Sequence, residues 1–414
     1  MTRKLFSIGL IAAFVWFAWP IYQFFAYEGL VPMLLPKDLT PPDHTPQTTP
    51  FSAHPQSAAA LELLTRHKEK IHAPAISAAV AIDGEIVWAG AVGWANVEAQ
   101  VPATTETLFR IGSTSKAVTG TLLAKMVQEG MIDLDRPIAD YYTGLPNPEW
   151  EKLTPRQLAS HSSGLPDYID NYGDPWGFYY LFKLNKRYTS VSESLEVFDD
   201  TALLFEPTSE YHYTSFNTVL LSAVLEEIAG DAFLNTLRKK VLSPLGMKAT
   251  GAEYELPEEN VLAGFYWNRD GKHPAFRIWK KVDLSHRLAG GGLISTPSEL
   301  VKLGSAWLDE EFIAAETREL FWTPQTLADG TTNKENYALG WRWIEYEDEQ
   351  GRVHNANHGG VSRGSQCWLM VIPERNMAVA VTINSNVETF WDFGQVSMPL
   401  ARLFFADSDG PNEK

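Results

Sequence analysis

Two serines in this chain stand where a nucleophile could be made. Ser113 lies in "IGSTSK", with Lys116 three residues on, and Ser362 lies in Gly360-Val361-Ser362-Arg363-Gly364, the G-x-S-x-G pattern. A serine hydroxyl attacks poorly until a neighbouring base takes its proton, and a desolvated lysine with a lowered pKa can be that base. On a helix, positions three apart share a face, and the N-terminal end of a helix favours developing negative charge. Taken alone, the Ser113–Lys116 pair is also what a helix cap followed by a surface lysine looks like. G-x-S-x-G carries a nucleophile only on a sharp turn from a strand into a helix.

The elements around each serine separate them. Ser362 is followed by "RGSQCWLMVIPE", bulky, apolar and closed by proline, which predicts a strand where the elbow needs a helix. After Ser113, apolar residues at Val118, Leu122 and Met126, and again at Leu123 and Val127, keep helical spacing until Gly130 stops them. Ser113 is therefore expected at a helix N-terminus, with Lys116 on the same face, and the pair needs partners elsewhere to be more than a cap. A helix is expected near Ser57–Lys70, then a hairpin about Asp83-Gly84. Further helices are expected near Thr154–His161, Val191–Leu204, Asn217–Ile228 and Phe233–Val241. "STPSELVKLGSAWL" predicts another, with Thr296 as cap, Pro297 at its first position and Glu299 completing a capping box. Strands return at "YALGWRWIEY", "QCWLMVIP" and "MAVAVTIN", and a last helix is expected over Thr389–Phe405. Strands at both ends with helices between predict an α+β fold, an antiparallel sheet with a helical lobe.

The ordered segments "LFRIGSTSKAVTGTLLAKMVQEGMIDLDRPIADYY", "LTPRQLASHSSGLPDY", "FEPTSEYHYTSFNTVLLSAVLEEIAG", "LAGGGLISTPSELVKLGSAWL" and "HGGVSRGSQCWLMVIPERNMAVAVTINSN" resemble the penicillin-recognising serine hydrolases. That family includes class C β-lactamases, DD-peptidases and family VIII carboxylesterases, and the wording is nearest to its mitochondrial serine β-lactamase-like branch. The resemblance covers roughly residues 60 to 405. It implies a serine β-lactamase/DD-peptidase-like fold with the site between sheet and helical lobe. It also implies Ser113 as the acylated nucleophile, Lys116 as its base, and Tyr213 as phenolate or proton shuttle, with Lys116 a candidate to lower the phenol's pKa. His358-Gly359-Gly360 would take the place of the family's Lys-Thr-Gly, and the N–H of Val361 would join that of Ser113 as oxyanion hole.

Two departures bear on substrate. His358 and Gly359 stand where β-lactamases carry a lysine and a hydroxyl residue that engage a carboxylate. Ser215 replaces an asparagine, offering one hydroxyl for an amide. Arg363 is either a substitute cation or a surface arginine. His354 and His358 have i, i+4 spacing but are expected in a Gly/Asn loop without H-E-x-x-H, so no metal is expected, nor an organic cofactor. His161 reads as a structural histidine at a helix end. The aromatic stretch Asp174–Tyr188 reads as core packing, with a lid, a substrate wall or a membrane-facing patch as the other options.

Composition sets the frame. The net charge of −17 over 414 residues argues against nucleic acid as partner. A single cysteine, Cys367, excludes an internal disulfide and reads as a buried thiol. Arg3 and Lys4 precede an uncharged run from Leu5 to Tyr27, longer than the roughly 20 residues that span a bilayer. Its exit "YQFFAYEGLV" is aromatic rather than small-x-small, so an uncleaved anchor is expected over residues 1–27. Pro20 is tolerable in such a span. A Pro-rich linker over 28–56 reads as a semi-rigid spacer, followed by a hydrolase domain over 57–406 and a polar tail over 407–414. The whole predicts a single-pass protein of the cell inner membrane with a periplasmic serine hydrolase domain acting on peptide, amide or ester bonds of a small-molecule or peptide substrate. A non-enzymatic penicillin-binding sensor and a true β-lactamase are the alternatives.

Overall fold

The β-rich stretches at the two ends of the chain pair with one another into one sheet. Its strands are β1 (Gln47–Thr48), β2 (Ala75–Ile82), β3 (Glu85–Asn96), β4 (Val101–Pro102), β5 (Arg342–Asp348), β6 (Gly351–Ser362), β7 (Ser365–Ile372) and β8 (Met377–Ile383). They lie in the order β5-β6-β7-β8-β2-β3-β1, with β4 on β3, and every pairing is antiparallel. The structure is a computed structural model that describes residues 2–27, 38–40, 42, 44–168, 183–184, 186–257, 260–267, 276–279, 282–349, 351–387 and 389–408. The β2–β3 hairpin turns on Asp83 and Gly84, both with positive φ (51° and 82°), the geometry that Asp-Gly is suited to.

The helices are α1 (Thr2–Tyr27), α2 (Ser57–Lys70), α3 (Ser115–Gln128), α4 (Pro155–Ala159), α5 (Ser215–Ala229), α6 (Phe233–Leu237), α7 (Pro297–Ala306), α8 (Ala315–Trp322), α9 (Phe390–Gly394) and α10 (Ser397–Leu403). Side chains alternate across the strands with period two. Ala79, Ala81, Ala378 and Ala380 face a core shared with α7, α3 and α5. Val80, Ile82, Val379 and Val381 face a second core with α2 and α10. This is the expected α+β architecture, a sheet covered on both faces with a helical lobe to one side. Alanines on the α7 side let that helix come close: a Cβ on Gly304 would lie 2.8 Å from Ala378 Cβ and 3.0 Å from Val371 Cγ2.

Several expected elements differ. Val191–Leu204 holds only a 3₁₀ turn, Glu193–Val197. Ser194 Oγ donates to Val191 O, Thr201 Oγ1 donates to Phe198 O, and Glu193 accepts from Thr189 N, local bonds that compete with a helix. Phe233–Val241 divides into α6 and a π turn, Arg238–Leu242, and the last helix breaks into α9 and α10. Thr296 caps α7, but Glu299 does not close the box; its carboxylate accepts from Ala249 N and Thr250 Oγ1 instead. The Pro-rich stretch is more than a spacer, since Gln47–Thr48 forms the edge strand β1 on β3, and Asp38–Leu39 pairs with Phe276–Arg277. Among the described residues no helix is long and apolar enough to cross a membrane; the described side chains of α1 run from Ser7 to Trp19, with Ile21, Tyr22 and Ala26.

Replacing Gly304 with valine places branched carbons against Ala378 and Val371 and pries α7 from the sheet. The expected loss is about 1–3 kcal/mol of unfolding free energy, read from urea denaturation; an unchanged midpoint would contradict this packing.

Candidate active site

The site is built on an unpaired strand edge. β5 pairs with β6 only as far as Asn357, so His358–Ser362 is hydrogen-bonded on one side, to β7. Ser362 and Ser365 close a two-residue turn as a pair, and alternation along the ladder then turns the main chain of Val361 away from β7 toward the open edge. The turn that carries Ser113 fills that edge. Gly112, at φ +51°, lies so close to Val361 that a Cβ would sit 2.6 Å from its C and O and 2.7 Å from its N. A Cβ on Gly360 would fall 1.9 Å from Ile111 O and 2.8 Å from Thr114 N. Ser113 sits in a 3₁₀ turn, Gly112–Thr114, that leads into α3, one step before the α-helix proper.

Lys116, in the first turn of α3, is buried. Its Nζ donates to Gly290 O at 2.6 Å, Ser215 Oγ at 3.1 Å and Ser113 Oγ at 3.2 Å. Burial brings the amine down to about 7; Asp167 opposes this, and Arg287 and Arg342 add to it. Ser215 opens α5, capped by Thr214, whose Oγ1 accepts from Phe216 N and donates to Asp167. Gly290 lies in the Leu288–Gly292 turn. Nothing in the local pattern singled out its carbonyl, because a backbone acceptor has no sequence signature.

Tyr213 hydrogen-bonds Ser113, and Lys116 Nζ lies 4.8 Å from its ring centroid. Burial pushes the phenol up to about 12, partly offset by Arg342 and the bond to Ser113. The expectation that Lys116 lowers this pKa is corrected: the cation that offsets burial is Arg342, 5.4 Å from the ring and paired with Glu335. His358, expected among the catalytic residues, is wholly buried with both nitrogens engaged. Nδ1 bonds Gly359 O at 2.8 Å and Nε2 meets the Tyr337 hydroxyl at 2.9 Å. Burial first, then Arg342 and Lys116, hold it neutral, so it presents no charge to a substrate. Gly359 is turned to the opposite face, where a Cβ would strike Phe390 at 2.5 Å. A hydroxyl side chain has no room there, which is the physical reason for the departure at this position.

The remaining candidates sort by position. Ser362 is buried with an unpartnered hydroxyl and sits in a strand–turn–strand hairpin. His354 and His358 lie in strand β6 rather than a loop, with His354 at the exposed end against Glu374 at 2.7 Å. His161 follows α4; its Nδ1 lies 3.2 Å from Asn217 Nδ2 and its ring packs 4.3 Å from that of Tyr213. Arg363 occupies the β6–β7 turn, 6.0 Å from the Trp279 ring. Most of the aromatic stretch Asp174–Tyr188 lies outside the described residues, but Tyr188 is buried in the helical-lobe core. Arg342, Tyr337 and Asp167 were not foreseen; each acts through a side chain folded back from a distant segment.

Residues 61–393 match the Beta-lactamase family. The chain is 29% identical over 405 residues to the serine beta-lactamase-like protein LACTB, mitochondrial, of Homo sapiens, across 79% of this chain and 73% of that protein. It is 26% identical over 334 residues to penicillin-binding protein 4 of Amycolatopsis lactamdurans, across 77% and 82%. D-amino acid amidase from Ochrobactrum anthropi SV3 shares the fold with a TM-score of 0.67 at 23% identity, over 84% of this chain and 97% of that one. The octameric penicillin-binding protein homologue from Pyrococcus abyssi gives 0.65 at 24%, over 86% and 78%.

Gly360→Ala tests the clamp between β6 and the Ser113 turn. The added carbon must displace Ile111–Thr114, and a shift of about 1 Å at the reacting groups costs roughly a hundredfold in rate. Ester turnover by this variant, measured beside its circular dichroism, is expected to fall by that order with the fold retained; full activity would show the turn to be loosely held.

Proposed function

The chain belongs to the Beta-lactamase family and is a serine hydrolase; from that premise we propose that it cleaves peptide, amide or ester bonds of small-molecule or peptide substrates through an acyl-enzyme on Ser113. The observation that carries this reading is the Lys116 amine, buried, held near pKa 7 and hydrogen-bonded to Ser113. A neutral lysine keeps two N–H donors and one lone pair. Gly290 O can only accept, Ser215 Oγ can take the second donor, and the lone pair is left for the Ser113 proton. Ser113 Oγ then bonds the substrate carbonyl carbon, with the oxyanion facing the N–H groups of Ser113 and Val361. Near pKa 12 Tyr213 is neutral at physiological pH, so it serves as a shuttle that passes the proton on to the leaving group rather than as a standing phenolate. Water discharges the acyl group by the reverse relay.

Substrate preference follows from what β6 lacks. His358 offers no charge and Gly359 no hydroxyl, so the contacts with which this strand would hold a β-lactam carboxylate are absent.

We also propose that the hydrolase is held to a membrane by its N-terminal helix, with the catalytic domain outside the cytoplasm. Support comes from Leu5–Tyr27, which carries no charge, and from Ile8, Leu10, Ile11, Phe14, Val15, Trp16, Phe17 and Trp19, all exposed on α1.

A fluorophosphonate probe is expected to modify Ser113, the adduct mapping to the "IGSTSK" segment. Lys116→Ala should slow this by about 10³-fold, while Ser362→Ala keeps most of its activity. Because the lysine pKa is lowered and the neutral amine is the working form, kcat/KM should rise with pH along a limb centred near 7. An adduct on Ser362, or a profile flat from pH 5 to 9, would overturn the assignment. Separately, full-length protein should stay in the membrane pellet through a carbonate wash; release as a soluble species beginning near residue 28 would show a cleaved leader instead.

A further inference from the structure

A proton shuttle at Tyr213 places a transient negative charge inside the fold. When the hydroxyl proton goes to the leaving group, the side chain is left a phenolate. Tyr213 is partly buried, and the loss of solvent works against that anion. Lys116 Nζ, 4.8 Å from the ring centroid, becomes neutral in the step that returns a proton to the phenolate. Two imidazoles pack on the same ring, His161 at 4.3 Å and His358 at 6.4 Å, and burial keeps both uncharged.

Arg342 brings a lasting charge to this ring from the neighbouring strand. It opens β5, in register with Asn357, the last residue of β6 that β5 pairs. Its guanidinium carbon lies 5.4 Å from the Tyr213 centroid and 5.0 Å from that of Tyr337. The segment ahead of β5 fixes it there. Tyr337 and Arg342 form an antiparallel bridge, and the buried Asn333 side chain ties the loop before them. Asn333 Oδ1 accepts from Glu335 N and Tyr337 N, and its Nδ2 donates to Tyr337 O. Glu335 then accepts from Arg342 Nε at 3.0 Å, from its Nη2, and from the Tyr211 hydroxyl at 3.1 Å. Arg342 draws the Tyr213 phenol down more than Glu335 raises it, so the ion pair does not cancel at the ring. A guanidinium also keeps its charge through the whole reaction.

We propose that Arg342 is a positioning residue of the reaction: seated on Glu335, it stabilises the phenolate that Tyr213 becomes as its proton passes to the leaving group. This rests on Ser113 as nucleophile and Tyr213 as shuttle. In that step the Tyr213 O–H bond breaks, as does the bond from the carbonyl carbon to the leaving group. The leaving group takes the proton, and the Lys116 ammonium then returns one to Tyr213. The effect of Arg342 grows with the leaving group's need of a proton. An alkoxide must be protonated as it leaves, whereas a nitrophenolate departs unaided.

Two acetyl esters test this with the full-length protein: 4-nitrophenyl acetate, which needs no acid, and 4-nitrobenzyl acetate, which does. After subtraction of spontaneous hydrolysis, Arg342→Gln is expected to lower kcat/KM for the benzyl ester about tenfold more than for the phenyl ester, a part of what acid–base catalysis supplies. Arg342→Lys keeps the charge and should bring the ratio of the two esters back toward the wild-type value. Tyr213→Phe should widen the same gap, and adding Arg342→Gln to it should widen it no further. Equal losses on both esters in Arg342→Gln, beside a widened gap in Tyr213→Phe, would overturn the role of Arg342. Equal losses in both variants would overturn the shuttle on which it rests, and turnover of either ester by Ser113→Ala would overturn the nucleophile. Arg342→Met, whose stem still packs on the Tyr213 and Tyr337 rings, takes the place of Arg342→Gln if that variant does not fold.

Discussion

The structure turns on the desolvation of one amine. Lys116 has three hydrogen-bond partners, and they come from three separate stretches: the turn before α3, the first residue of α5, and the Leu288–Gly292 turn. Moving any of them would leave a buried amine short of a hydrogen-bond partner, at a cost of about 1–3 kcal/mol. The requirement to satisfy Lys116 thus ties the helical lobe to the glycine-rich turn. The same burial that makes the constraint strict draws the amine down to about 7, so the structural and chemical roles of this residue have one cause.

The glycines of β6 show how the turn that carries Ser113 reaches a sheet. Successive residues of a strand face opposite sides, and here each side has a neighbour that tolerates no Cβ. Gly360 admits the Ile111–Thr114 turn, and Gly359 admits the Phe390 ring. Gly112 makes the reciprocal concession against Val361. Two glycines at and beside the G-x-S-x-G match of Ser362 are thus required for contact on both faces, whatever the serine does.

Around the reacting groups, burial leaves the aromatic and imidazole side chains uncharged. His161 and His358 are neutral, Tyr213 is protonated, and the Tyr337 hydroxyl meets His358 Nε2 rather than solvent. The cationic field there comes from Arg342, paired with Glu335, and from the protonated fraction of Lys116. A site organised in this way stabilises negative charge as it develops, without carrying a standing anion next to the nucleophile.

Sequence alone determined the local part. Helical spacing after "IGSTSK", strand character after Ser362 and the Asp-Gly hairpin are short-range properties, and they sufficed to foresee which serine precedes a helix and which a strand, and an α+β fold. The order of motifs extended this to Tyr213, Ser215 and the His358–Val361 stretch. Only the tertiary structure decided what each of these experiences. The neutrality of His358 depends on Tyr337, the phenol of Tyr213 on burial and on Arg342, and the amine of Lys116 on a carbonyl at Gly290. Burial and electrostatics sum over groups far apart in the chain, whereas periodicity and turn chemistry act over a few residues. The failure of a helix at Val191–Leu204 and the docking of Gln47–Thr48 on the sheet have the same origin: apolar spacing says what a segment could form, and the partners that decide it lie elsewhere in the fold.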